Sequence, residues 1–203
     1  MKYIKKIQYN SPVILTYALI SLVSLLIGYL TGNQSTRLVF SVYRSPMTDP
    51  LMYVRLFAYV AGHANLSHYL NNFLLILLIG PMLEEKYGSR NIIIMIAITA
   101  FVTAVVNMAF FNVALLGASG IVFMFILLSS FVNLKKNRIP ITLIIIIIVY
   151  IGREIVDGIY LSDNISQLGH IIGGLCGAVL GIIINREIIF RTPTDEADQP
   201  VSE

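Results

Sequence analysis

The chain has 203 residues, of which 57% are hydrophobic and 12% are charged, and its mean hydropathy is +0.80. A soluble domain is about 45–50% apolar and about 25% charged, so this composition excludes an ordinary water-soluble globule. The net charge of +3 does not indicate nucleic-acid binding, because the charges cluster at the ends of apolar segments. Several of these segments reach the roughly 20 residues that cross a hydrocarbon core, so we predict an all-α polytopic membrane protein.

Six apolar segments follow one another along the chain, and each predicts a transmembrane helix. They cover approximately residues 12–31, 66–83, 91–110, 119–134, 140–157 and 169–189. The basic start of the chain resembles a signal peptide, but the apolar stretch behind it is long and no small-residue cleavage site follows, so we interpret it as a retained first helix. The predicted layout is a short cytoplasmic N-terminus (1–11), a six-helix membrane domain (12–190) and a disordered acidic cytoplasmic tail (191–203).

The distribution of lysine and arginine predicts the orientation, since these residues are enriched in cytoplasmic loops. With the N-terminus inside, the cytoplasmic side carries Lys2, Lys5, Lys6, Lys86, Arg90, Lys135, Lys136, Arg138, Arg186 and Arg191. The outer side carries Arg37, Arg44, Arg55 and Arg153. Both termini are therefore expected to be cytoplasmic, in a multi-pass protein of the cell membrane.

Two segments do not fit a simple pattern of spans and solvated loops. The first outer loop, residues 32–65, is rich in apolar and aromatic residues and is expected to lie in or on the outer leaflet. Residues 112–120 are apolar but contain glycine, and they precede an unusually short fourth span. Non-helical backbone at membrane depth is tolerated only inside protein or beside a water-filled cavity, so the second segment indicates a functional site.

Four polar residues lie where a bilayer would penalise them: His68, Asn72, Ser119 and His170. His68, Ser119 and His170 each precede a charged residue near the cytoplasmic face (Glu84, Lys135 and Arg186) by sixteen positions. At 1.5 Å per residue this places all three at roughly 24 Å from that face, just below the outer surface. The polar residues of three helices are therefore expected to lie at one level.

Local sequence also predicts which way these side chains point. His68 and Asn72 are four residues apart and share a helix face. His170 falls within the arc of a glycine ladder that permits close approach of another helix, formed by Gly169, Gly173, Gly177 and Gly181. Ser119 lies near a helix N-terminus, where backbone N–H groups favour negative charge. A serine nucleophile needs a base, and histidine is the usual one, so a Ser119–His170 dyad is the economical interpretation.

These residues stand in three motifs that resemble the rhomboid family of intramembrane serine proteases. The motifs are His63-x4-His68-x3-Asn72, Gly117-Ala118-Ser119-Gly120 and Gly169-His170-x2-Gly173-Gly174-x2-Gly177, and residues 84–89 are also similar to the family. The resemblance implies a nucleophile at Ser119, a general base at His170, and oxyanion support from His68, Asn72 and the Ser119 backbone. Structural support is implied for His63, Gly117, Gly120, Phe123, Gly173 and Gly177.

The resemblance further implies substrates, partners and a route into the site. Single-pass membrane proteins in the lipid bilayer would be cut near the outer face, with the fifth helix as a lateral gate and without a cofactor. Two positions depart from the family pattern: a frequent Trp-Arg pair is Val54-Arg55 here, and a frequent tyrosine is Phe123. Phenylalanine keeps a ring to pack on the catalytic histidine but lacks the hydroxyl.

Three alternatives stand beside the protease. A catalytically silent rhomboid-like protein would bind membrane helices without cutting them, although Ser119 and His170 argue against it. A metalloprotease would need ligands such as H-E-x-x-H, which is absent, so no metal site is predicted. A transporter would more typically show repeats and broken helices at the midplane.

Overall fold

A computed structural model describes residues 9–111, 113–132, 141, 144, 145, 148, 149 and 164–186. Within these ranges the regular structure is helical, apart from one isolated antiparallel bridge between Val42 and Leu115. The predicted all-α class is therefore confirmed. The predicted fifth span, 140–157, lies outside the described residues except for five helical positions, and the predicted tail, 191–203, lies wholly outside them.

Seven α-helices and one 3₁₀ helix are described. They are α1 (Pro12–Leu30), α2 (Gln34–Leu38), α3 (Pro50–Ala58), the 3₁₀ helix (Tyr59–Ala61), α4 (Leu66–Tyr87), α5 (Ser89–Phe110), α6 (Ser119–Ser129) and α7 (Asn164–Ile184). Three of them, α1, α4 and α5, are long and apolar enough to cross a membrane, while α6 and the apolar part of α7 are shorter. The first three predicted spans agree closely with these bounds, whereas α6 ends earlier and α7 begins earlier than predicted.

The helix starts follow from local capping chemistry. Asp49 is the N-cap of α3, where its side chain accepts a hydrogen bond from the Leu51 N–H, and Pro50 follows at the first helical position. Asn65 caps α4 in the same way, because its side chain accepts from the His68 N–H at 2.8 Å. The hydroxyl of Tyr29 accepts from the Leu66 N–H and satisfies a second free donor of that helix.

The start of α1 is capped from a distant part of the chain. Ser11, its N-cap residue, makes no side-chain cap, and the two carboxylate oxygens of Glu84 instead accept from the backbone N–H groups of Val13 and Ile14, each at 3.1 Å. The hydroxyl of Ser89 donates to the same carboxylate at 2.6 Å. Glu84 is only 4% exposed, so this carboxylate near the predicted cytoplasmic face is buried, and it joins the end of α4 to the start of α1.

Glu84→Gln is expected to destabilise the protein by about 1.5–3 kcal/mol, since hydrogen bonds to charged groups contribute this much and the helix start loses its negative charge. Glu85→Gln is the matched control, because Glu85 is the next residue of the same helix and is exposed. The check is the midpoint of thermal unfolding in detergent. Equal midpoints for the two variants would contradict the capping role of Glu84.

Helix α6 lies at the centre of the bundle and contacts α4, α5 and α7, while α1 packs against α4.

Large apolar side chains are exposed on the outward faces of α1, α4 and α5, such as Leu30, Leu74 and Ile93. Small polar side chains such as Ser21 and Thr99 are buried between helices instead. This distribution is that of a protein whose outer surface contacts lipid, since small residues allow helices to approach and lipid is as apolar as leucine.

The first outer loop is folded around a buried arginine. The guanidinium of Arg55 donates to the Leu38 carbonyl at 2.7 Å and to the Asp49 carboxylate at 2.7 Å, and it lies 4.5 Å from the centre of the Tyr43 ring. Arg55 is 3% exposed, whereas the Asp49 side chain is 30% exposed. The loop therefore has a fixed internal structure, in which Asp49 both caps α3 and binds Arg55.

The hydrogen bond from Arg55 lowers the pKa of the Asp49 carboxyl below its ordinary value. Because the folded pKa is depressed, this pair stabilises the protein fully above the unfolded value of about 3.9, and the contribution is lost as the pH falls through the folded value. We expect the thermal midpoint of the wild type to fall more steeply below about pH 4 than that of Asp49→Asn. Parallel pH profiles for the two proteins would contradict this prediction, and Glu85→Gln serves as the control carboxylate.

Candidate active site

Hydrogen bonds from three parts of the protein hold the loop before α6 in place. Val42 of the first outer loop exchanges two backbone hydrogen bonds with Leu115, each 2.9 Å. The Gly117 N–H donates to the Tyr59 carbonyl at 3.0 Å, and the Asn107 side chain of α5 donates to the Val113 carbonyl at 3.0 Å. Non-helical backbone before the short helix α6 is thus present as predicted, and these bonds pair the backbone groups of Val113, Leu115 and Gly117 named above.

Gly117 allows His68 to lie directly against this loop. Its φ of +118° is a conformation that side chains with a Cβ rarely adopt. A methyl group added there would lie 2.7 Å from Nε2 of His68 and 3.8 Å from Nδ2 of Asn72. The structure therefore brings both predicted oxyanion residues of α4 to the loop that leads into Ser119.

Helices α6 and α7 are in backbone contact along the glycine ladder. A methyl group on Gly173 would overlap the carbonyl oxygen of Gly120, and one on Gly177 would overlap that of Met124. A methyl group on Gly120 would lie 3.2 Å from the Gly169 carbonyl oxygen. The residue after Ser119 therefore lies against the residue before His170.

The ring of Phe123 packs against His170. Their centroids are 4.4 Å apart with an interplanar angle of 45°. Phe123 is one helical turn beyond Ser119 on α6, so this contact brings the His170 ring to the first turn of that helix. The expected ring packing at the position where the family often has tyrosine is present.

Ser119 is the first residue of α6, and its side chain is half-buried. The preceding residue, Ala118, makes no side-chain cap for the first N–H groups of α6. These groups and the helix dipole form an electropositive end, which favours an anion. His68, Asn72, Phe123 and His170 thus all lie on elements packed around the start of α6.

His63 lies between the 3₁₀ helix and α4 and is 1% exposed. Its Nδ1 is 3.2 Å from the Ala61 carbonyl oxygen, and its Nε2 is 3.2 Å from Nδ2 of Asn72. The first of these contacts agrees with the implied bond to the first outer loop. The second was not anticipated, because His63 and Asn72 are nine positions apart and do not share a helix face.

Sequence reasoning also missed a buried polar stripe on α5. Thr99, Thr103 and Asn107 recur every fourth residue, all three are at most 1% exposed, and one side-chain oxygen of each has no hydrogen-bond partner among the described residues. A methyl group on Gly120 would lie 4.0 Å from the Thr103 hydroxyl oxygen, so the stripe passes directly behind the start of α6. The i, i+4, i+8 spacing of polar residues in an apolar span was the available signal.

No cluster of three or more His, Cys, Asp or Glu side chains suited to a metal ion occurs in the described ranges. Cys176 is partly buried and its thiol is free of disulfide bonding. The elements packed near the start of α6 carry imidazoles, an amide and backbone N–H donors, which suit proton transfer and the binding of an oxyanion.

The fold and the site define a class: an all-helical membrane protein with a serine at a helix N-terminus, and with histidines and an amide on the helices packed near it. In a comparison with sequence models of protein families, the model described as the Rhomboid domain matches residues 50–187, which is more than half of the chain. The chain therefore belongs to the rhomboid family, a family of intramembrane proteases. A comparison with curated proteins finds no match.

Proposed function

We propose that this chain is an intramembrane serine endopeptidase that hydrolyses peptide bonds in or near the transmembrane helices of single-pass membrane proteins. Ser119 is the nucleophile and His170 the general base. The observation that carries the proposal is the backbone contact of Gly120 with Gly169 and Gly173, because it supports the adjacency of Ser119 and His170 on packed helices. The Phe123–His170 ring contact supports the same pairing.

The reaction needs only groups that lie near the start of α6. The Ser119 hydroxyl attacks the scissile carbonyl carbon while the imidazole of His170 accepts its proton. The tetrahedral intermediate then collapses, and the leaving amine takes that proton from the imidazolium. Water attacks the resulting ester by the same route in reverse, which releases the second product and restores the serine.

Charge develops on the carbonyl oxygen in both steps, and preorganised donors are worth most where water is excluded. The backbone N–H of Ser119, the Asn72 amide and a His68 ring N–H are the proposed donors. The closeness of His68 and Asn72 to Gly117 supports this assignment, as does the position of Ser119 at the first residue of α6.

The proposed topology is multi-pass, with both termini cytoplasmic and the site near the outer face. The excess of lysine and arginine in the predicted cytoplasmic segments supports it. The bonds from Glu84 to the start of α1 support the relative placement of these two helix ends, since they require the end of α4 and the start of α1 to lie on the same side.

The test is cleavage of a reporter transmembrane helix in liposomes by the full chain. Wild type is expected to cut the reporter with a chelator present, and Ser119→Ala is expected not to. Cleavage by Ser119→Ala at the wild-type rate would overturn the mechanism, and loss of wild-type activity on chelation would favour a metalloprotease. Retention of the reporter without cleavage by wild type would favour the silent, helix-binding relative.

A further inference from the structure

His63 occupies the centre of a small group of rings beneath the proposed oxyanion site. The centroids of the His68, Tyr69 and Phe73 rings lie 5.0, 5.6 and 5.7 Å from that of His63. Since the imidazole is 1% exposed, its two nitrogens depend on protein partners for hydrogen bonds. These partners are the Ala61 carbonyl and the Asn72 amide.

The partners determine which nitrogen of His63 carries the proton. A carbonyl oxygen can only accept, so Nδ1, at 3.2 Å from the Ala61 oxygen, must be the protonated nitrogen. Burial, together with the neighbouring His68, lowers the pKa of the His63 imidazole to about 4, so the ring holds one proton at neutral pH. Nε2 is therefore an acceptor, and the Asn72 amide donates to it at 3.2 Å.

This bond fixes the orientation of the Asn72 amide. Its terminal torsion is broad and roughly two-fold, so an unrestrained asparagine could present either its oxygen or its nitrogen to a given point. With one N–H donated to His63, the second N–H of the same nitrogen is available, and that nitrogen lies 3.8 Å from the position of a Gly117 methyl group. The opposite orientation would turn a carbonyl oxygen toward a developing oxyanion, which is repulsive.

The anchor of this arrangement is a helix on the far side of the loop. The Ala61 carbonyl that accepts the hydrogen bond from His63 also accepts one from the Ser24 hydroxyl of α1, at 2.8 Å. A continuous series of hydrogen bonds thus leads from Ser24 through Ala61 and His63 to Asn72. Held by a rigid helix at one end, the imidazole has little freedom to rotate.

We propose that His63 is a positioning residue, which holds the Asn72 amide with a free N–H directed at the oxyanion of the reaction at Ser119. The inference rests on the proposed function and deepens it. A purely structural His63 would only secure the first outer loop through Ala61. The two roles use different ring nitrogens, so they can be separated by substitution.

The experiment compares His63→Gln with His63→Asn in the full chain in liposomes. A glutamine amide reaches the position of Nε2 and keeps an acceptor for Asn72, whereas an asparagine amide reaches that of Nδ1 and keeps only the donor to Ala61. We expect His63→Asn to lower kcat about 10- to 100-fold with KM unchanged, because an oxyanion donor acts in the transition state. His63→Gln is expected to retain most of the wild-type kcat.

A double-mutant cycle with Asn72→Ala completes the test. If His63 acts through Asn72, His63→Asn lowers kcat no further once Asn72 is alanine. An equal loss in both backgrounds, or a larger loss for His63→Gln than for His63→Asn, would overturn the proposal. If wild type neither cuts the reporter nor reacts at Ser119 with a serine-directed reagent, the proposed function itself fails, and the positioning role fails with it.

A measurement on the unaltered ring covers the case in which the His63 variants do not fold. Nitrogen-15 NMR of histidine-labelled wild type should show His63 protonated at Nδ1 and unprotonated at Nε2. The Nε2 shift should move in Asn72→Ala. A proton on Nε2, or an Nε2 shift that is unchanged in Asn72→Ala, would overturn the proposal without reference to activity.

Discussion

Ser119→Ala and His170→Ala are each expected to lower kcat for reporter cleavage by at least about 10³-fold, and the double variant is expected to lose no more than either single variant. Residues that act as one unit show such non-additive losses, because removal of either partner already eliminates the activated serine hydroxyl. The packing of Gly120 against Gly169 and of Phe123 against His170 is the structural reason to expect a unit. The measurement is kcat for the four proteins in liposomes.

Ser129→Ala is the matched control, since Ser129 is a half-buried serine at the other end of the same helix. It should cleave at close to the wild-type rate. Losses that multiply in the double variant would contradict the dyad, because they would mean that Ser119 and His170 contribute independently.

Gly173→Ala is expected to reduce both stability and activity, the former by about 3 kcal/mol or more. The new methyl group would overlap the Gly120 carbonyl oxygen. Because the backbone cannot move aside as a flexible side chain does, the loss of folding free energy should lie at the upper end of the range for overpacked cores. Separating α6 from α7 would also displace Ser119 relative to His170, and a displacement of about 1 Å can cost about 100-fold in rate. Thermal unfolding and reporter cleavage measure the two effects.

Gly169→Ala provides the stability control on the same helix. Its methyl group would meet only Leu115 Cδ1, at an ordinary 3.7 Å, while its gain in helix propensity is the same as that of Gly173→Ala. The unfolding midpoint of Gly169→Ala should equal or exceed that of wild type. A similar fall in both variants would show that glycine itself, rather than the close contact with Gly120, matters at these positions.

The sequence was sufficient for the positions of the long spans, because an apolar run of bilayer length is a direct physical requirement of crossing a membrane. It was less reliable at helix ends. Helix α7 is already formed at Asn164, five residues before the predicted start, because a helix can extend into polar residues that hydropathy excludes. Helix α6 ends at Ser129, whose hydroxyl donates to the Ile126 carbonyl and offers the backbone an alternative to further helix.

Some features of the candidate site follow from local sequence patterns, whereas others depend on tertiary contacts and could not be predicted. The i, i+4 pair His68 and Asn72 and the glycine ladder follow from helix geometry, so the sequence could indicate their faces. The bond between His63 and Asn72 could not be predicted, since it depends on how the 3₁₀ helix returns to α4. The burial of Glu84 could not be predicted either, because a carboxylate in a charged run such as Glu84-Glu85-Lys86 normally faces solvent. Glu84 is buried here because α1 packs against the end of α4.

Covalent modification by a serine-directed fluorophosphonate, with the adduct located by mass spectrometry of the liposome-embedded chain, tests the central claim most directly. The dyad predicts a single adduct on Ser119 in wild type and a labelling rate that falls by at least about 10³-fold in His170→Ala, because the reagent reacts only with an activated hydroxyl. An adduct on another residue, or undiminished labelling of Ser119 in His170→Ala, would contradict the claim.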